Sequence, residues 1–215
     1  MKAFYLDSAN VEQAKKVAEW GWVKGITTNP SLLTRSEYPP ETTLVNLAAA
    51  MPGVPIFYQL TAPDLDNMLR ESDRARQLLQ ERLVLKIPAT TAGLAACARL
   101  SPHMPVAVTT VYHTAQALAA NAAGAQYLIF YHDRALRRLE DGHQLASELV
   151  RALAGTSTQI IAASIKSLEE IYAVRMAGIT HLTVPFEVLA QIGAYEPTLK
   201  DVEAFQETGS GLLEE

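Results

Sequence analysis

The chain has 215 residues, 49% hydrophobic and 19% charged, with a formal net charge of −5. That length suits one well-buried domain over residues 1–215, and a mildly acidic balance without long charge runs argues against a nucleic-acid partner. The single cysteine, Cys97, excludes an internal disulfide and fits a reducing cytoplasm, and no apolar run approaches the roughly 20 residues of a membrane span.

The first strand is expected over residues 3–6, with no signal-peptide pattern before it. It ends in Leu6-Asp7-Ser8-Ala9-Asn10, which is not the glycine-rich loop of a dinucleotide site. A helical stretch over 11–20 precedes a strand over 23–27, which runs into Thr28-Asn29-Pro30-Ser31. Then come a helix over 41–51, a strand over 55–60, a helix over 65–82 and a strand over 83–87. Helix 92–100, which holds Cys97 as a core residue, leads to strand 106–109, helix 115–123 and strand 127–130. The series closes with helix 143–154, strand 159–163, helix 168–177, strand 181–184 and helix 188–192, followed by a last helix over 198–207 and a tail with Leu212 and Leu213. The strands are brief and apolar on both faces, as parallel strands covered by helices are. Eight such units define an α/β fold, a single-domain (β/α)8 TIM barrel, with residues 198–215 as an additional C-terminal helix and tail.

Barrel active sites lie where the strands end. Asp7 ends the first strand, Thr27, Thr28 and Asn29 the second, Gln59 the third, and Thr109 and Thr110 the fifth. Tyr131 and Arg134 follow the sixth, and Ser164 and Lys166 the seventh. The eighth ends in apolar Val184-Pro185-Phe186. Lys86, at the end of the fourth, is the one charged residue in Leu83-Val84-Leu85-Lys86-Ile87-Pro88. Burial disfavours an ammonium ion and favours the neutral amine, which can attack a carbonyl and form an iminium electron sink. A lysine that reaches back to water is the alternative. A carboxylate and an amide (Asp7, Asn29) can orient the lysine and move protons, and Tyr131, Thr109 and Gln59 can hold a catalytic water. Arg134 and Ser164 suit a phosphate. Each has a plainer use as a cap, a turn residue or a packing aromatic. Lys166 is the weaker candidate nucleophile because its surroundings are less apolar. His132 reads as a surface histidine. The histidines and lone cysteine show no metal-ligand spacing, so neither metal nor cofactor is expected.

Leu6-Asp7, Gly25-Ile26-Thr27-Thr28-Asn29-Pro30-Ser31 and Val84-Leu85-Lys86-Ile87-Pro88-Ala89-Thr90 resemble signature segments of the transaldolase family. Similarity continues through Thr91-Ala92-Gly93-Leu94 and Ala162-Ala163-Ser164-Ile165-Lys166 to about Gln191. Chain length resembles the small subfamily that includes fructose-6-phosphate aldolase. The resemblance implies a metal-free Schiff-base mechanism on Lys86, flanked by Asp7 and Asn29, with Thr27 and Ser164 on the donor or phosphate. Arg134, helped by Lys166, would grip the phosphate of a sugar-phosphate substrate. Transaldolases carry glutamate where Gln59 stands and phenylalanine where Tyr131 stands, so the resemblance favours an aldolase, with a transaldolase as the second reading. A non-catalytic sugar-phosphate-binding barrel is the third. His132-Asp133 and residues 135–142 depart from the family pattern, and Tyr58 beside Gln59 is unusual. The resemblance also implies a homo-oligomer, for which the C-terminal helix is the expected contact.

Overall fold

Apolar, β-branched and aromatic runs form strands here because each is covered on both sides. The computed structural model describes residues 3–210 and 212. Its strands are β1 (Ala3–Asp7), β2 (Val23–Thr27), β3 (Ile56–Gln59), β4 (Leu83–Pro88), β5 (Val106–Val111), β6 (Tyr127–Tyr131), β7 (Gln159–Ala163) and β8 (His181–Val184). They pair in chain order, all parallel, and β8 closes onto β1. Parallel neighbours need crossovers. These are built from α1 (Val11–Trp20), α2 (Pro30–Thr34), α3 (Pro40–Ala50), α4 (Leu65–Leu79), α5 (Thr91–Leu100), α6 (Thr114–Ala122), α7 (His132–Arg138), α8 (Leu145–Ala152) and α9 (Leu168–Met176). After β8 come α10 (Phe186–Gly193) and α11 (Glu196–Thr208). The fold is the expected single (β/α)8 barrel with a C-terminal helix. No helix of the described residues is long and apolar enough to cross a membrane.

Side chains alternate along a strand, so each strand has an inward and an outward row. Tyr5, Phe57, Val84, Ala107, Ile129 and Ile161 fill the barrel, while Leu6, Ile26, Leu85, Val108 and Phe130 pack outward against the helices. Two residues further along the inward rows come Asp7, Gln59, Lys86, Thr109 and Tyr131. The pleat alone therefore delivers them to one end of the barrel. Gly25 is fixed by close approach: a Cβ there would lie 2.8 Å from the Pro55 carbonyl oxygen and 2.9 Å from the Tyr5 ring.

Most expected boundaries shift by a residue or two, and a few differences are larger. Residues 30–34 and 132–138 are helical where strand-end loops were expected. The expected helix over 65–82 breaks at Gln80, whose φ of 52° is left-handed, and ends as a 3-10 turn over Gln80–Arg82. The last helix begins at Glu196, because Pro197 in its first turn needs no intrahelical N–H. None of its residues is buried. Leu212 is exposed and Leu213 lies outside the described residues.

Candidate active site

Lys86 sits on the inward row of β4 with only 3% of its surface exposed. Its Nζ donates to the Thr28 carbonyl oxygen at 2.7 Å. Burial pushes its pKa down to about 8, the Asp7 carboxylate opposes that shift, and the Arg134 guanidinium adds to it. A usable fraction of free amine therefore exists near neutrality.

Asp7 is fixed from β2, where Thr27 Oγ1 donates to Asp7 Oδ1 at 2.8 Å. The same Thr27 oxygen lies 2.5 Å from Thr183 Oγ1 on β8. Asn29 has two uses. Its Oδ1 accepts from Leu32 N at 3.0 Å and caps α2, so its amide N–H groups are the part left for a ligand.

Tyr131 closes the row on β6. Burial raises its pKa, against lowering by the Thr109 hydrogen bond and by Arg134, so its hydroxyl stays protonated at neutral pH. Thr109 Oγ1 donates to the Tyr131 hydroxyl at 3.2 Å, and the Arg134 guanidinium stacks 4.5 Å from the ring centroid. Gln59 is the register partner of Lys86 across β3–β4. Its Oε1 is buried with no hydrogen-bond partner among the described residues, an acceptor suited to a bound water. Next to it, Tyr58 points outward and donates to Glu71 at 2.7 Å. Glu71 also accepts from the Thr61 and Ala62 backbone N–H groups, so the unusual Tyr58 helps to tie down the loop after β3.

Above these side chains opens a cleft of about 1030 Å³, lined by Asp7, Asn29, Lys86, Tyr131, Arg134, Ser164 and Lys166 among others. Thr27, Gln59 and Thr109 are not among its lining residues. Ser164 takes a left-handed φ of 59° just past β7, an unusual conformation for a non-glycine residue and one often found at functional sites. Glu170 secures that loop by accepting from Lys166 N at 2.8 Å. Of the local arginines, Arg134 lines the cleft, whereas Arg137 pairs with Asp133 and Arg138 lies over Tyr112.

The sequence list thus falls into two sets. Asp7, Asn29, Lys86, Tyr131, Arg134, Ser164 and Lys166 face one cleft, and Thr27, Gln59 and Thr109 lie beside members of that set. One reading needs correction. His132 is buried against Phe130 rather than on the surface, and burial lowers its pKa. The eighth strand ends in apolar residues as expected, and Thr183 just before that end reaches Thr27. A lone threonine inside an apolar strand gives no sequence signal of that contact.

A closed parallel barrel with a desolvated lysine, a carboxylate and a protonated tyrosine at its C-terminal mouth has the equipment of an enzyme that attacks a carbonyl. The family model for Transaldolase/Fructose-6-phosphate aldolase matches residues 4–210, and the chain belongs to that family. It is 33% identical to a probable transaldolase of Kosmotoga olearia, with 94% of this chain and 93% of that protein aligned. It is 34% identical to a probable transaldolase of Alkaliphilus metalliredigens over 99% of this chain and all of that one. With a probable transaldolase of Heliobacterium modesticaldum it shares 35% identity over 94% of both chains. Family and relatives together indicate a transaldolase-type enzyme.

Proposed function

We propose that the chain is a Schiff-base aldolase that cleaves or forms a ketose phosphate such as fructose 6-phosphate. Neutral Lys86 attacks the ketose carbonyl, and loss of water leaves an iminium ion. Asp7 takes the proton from the β-hydroxyl, the one on the carbon two removed from the iminium carbon. The carbon–carbon bond then breaks, an aldehyde leaves, and the electron pair moves into the iminium to give an enamine on Lys86. Protonation of the enamine carbon from Tyr131, directly or through a water held by Gln59 and Thr109, and hydrolysis release dihydroxyacetone. Arg134, Ser164 and Lys166 hold the phosphate.

The observation that carries the aldolase reading is the protonated Tyr131 hydroxyl on the inward row, in the cleft that Lys86 also lines, with a donor behind it at Thr109. A phenylalanine there would leave the enamine waiting for a second aldehyde, which is transfer. The second reading, a transaldolase moving a dihydroxyacetone unit between sugar phosphates, is favoured by the names of the relatives. Fructose 6-phosphate supplied alone separates the two. An aldolase releases free dihydroxyacetone, and turnover only on adding an aldehyde acceptor overturns the aldolase reading.

The proposal includes a homo-oligomer through α11, whose Leu199, Val202 and Phe205 are exposed. Sedimentation of a Phe205→Glu variant as a smaller species supports that contact, and an unchanged size contradicts it. A cytoplasmic setting suits Cys97, whose thiol burial pushes up to about 11, far from reactive at neutral pH.

A further inference from the structure

We propose that Thr183 is a positioning residue for Asp7, acting through Thr27; the inference rests on the proton-transfer role proposed for Asp7. Thr183 is 1% exposed, lies on the inward row of β8 and does not line the cleft. β8 and β2 flank β1, the strand that carries Asp7. Thr27 Oγ1 donates its hydrogen to Asp7 Oδ1 at 2.8 Å. A hydroxyl has one hydrogen to give. In the 2.5 Å contact between the threonines, the proton therefore belongs to Thr183. The chain runs one way, from the Thr183 hydroxyl to Thr27 to the carboxylate, and each donor polarises the next.

The geometry matches a positioning task. Both threonines are β-branched and stiff at χ1, and both are fully packed. One carboxylate oxygen is thus pinned by a chain anchored on the two strands beside it. The carboxylate plane is held relative to Lys86, whose amine feels the Asp7 charge. Packing alone does not call for a hydroxyl at 183, since valine has the same shape. A small displacement of a catalytic group is enough to cost rate.

The test uses the full chain with fructose 6-phosphate, plus an aldehyde acceptor if the wild type requires one. Thr183→Val and Thr183→Ala are expected to lower kcat about 10-fold with KM within about twofold, and Thr183→Ser to restore kcat to within about twofold. In an Asp7→Asn background, adding Thr183→Val is expected to change kcat by less than about twofold, because the residue acts through the carboxylate. An unchanged kcat in Thr183→Val, or the full loss again in the Asp7→Asn background, overturns the inference. A wild type with no turnover counts against the proposed function instead. The inference is then read from the 13C carboxylate resonance of Asp7, assigned by its loss in Asp7→Asn. The resonance is expected to move in Thr183→Val and stay in Thr183→Ser, and one unmoved in Thr183→Val overturns the positioning role.

Discussion

The ends of β4 and β7 each bring a lysine to the same cleft, and they differ in how water reaches it. Lys86 is still inside its strand, on the inward row, and is buried. Lys166 lies past the end of β7, in a loop held by Glu170, and is exposed. The inward position strips water from the amine and lowers its pKa to about 8. The loop position leaves the Lys166 side chain in water, on a flexible stem that can move to meet an anion. Two lysines a few residues from their strand ends thus acquire different chemistry from the pleat and the strand boundary alone.

The sharpest way to break that comparison is to exchange the roles. Lys86→Met is expected to cut turnover by at least about 10⁴-fold, with Lys166 unable to substitute; steady-state rates above that floor would place the nucleophile elsewhere. Next, Tyr131→Phe is expected to lower release of free dihydroxyacetone by about 10²–10³-fold while transfer to an added aldehyde persists, a split visible when both products are assayed. Lys166→Met should raise KM for a phosphorylated substrate about 10-fold and leave kcat nearly unchanged. A matched unphosphorylated ketose should show no such change. Below about pH 8, Schiff-base formation should slow about tenfold per pH unit, because the neutral fraction of Lys86 falls by that factor.

The smallest effect concerns stability. Unfolded, Lys86 titrates near its ordinary value of 10.5, and folded near 8. The unfolded chain therefore binds more protons between those values, so stability rises with pH across that window. The burial penalty is fully present below about pH 8. Thermal denaturation of Lys86→Met against the wild type checks this: the variant should gain most relative to the wild type below pH 8, and the gain should shrink toward pH 10.5.

Much of the barrel was legible because its strands are apolar on both faces. β2, β7 and β8 begin and end where expected. α7 was missed because His132-Asp133-Arg134 follows an apolar strand directly and no side chain caps the helix. α2 has five residues and little room for a periodic signal. Lys86 stood out because one charge in an apolar strand is rare. The service residues were harder to read. Nothing local marks Thr183, whose contact with Thr27 joins residues 156 positions apart and exists only once β8 closes onto β1. The burial of His132 likewise follows from the packing around α7.

The central claim is that Lys86 forms the covalent adduct. Incubation with fructose 6-phosphate or dihydroxyacetone, reduction with borohydride and peptide mass mapping tests it directly. The account predicts one adduct, on the peptide carrying Lys86, absent from Lys86→Met. An adduct on Lys166 that survives Lys86→Met, or no adduct at all from a ketone donor, would contradict it, and the second result would leave a barrel that binds sugar phosphates without Schiff-base chemistry.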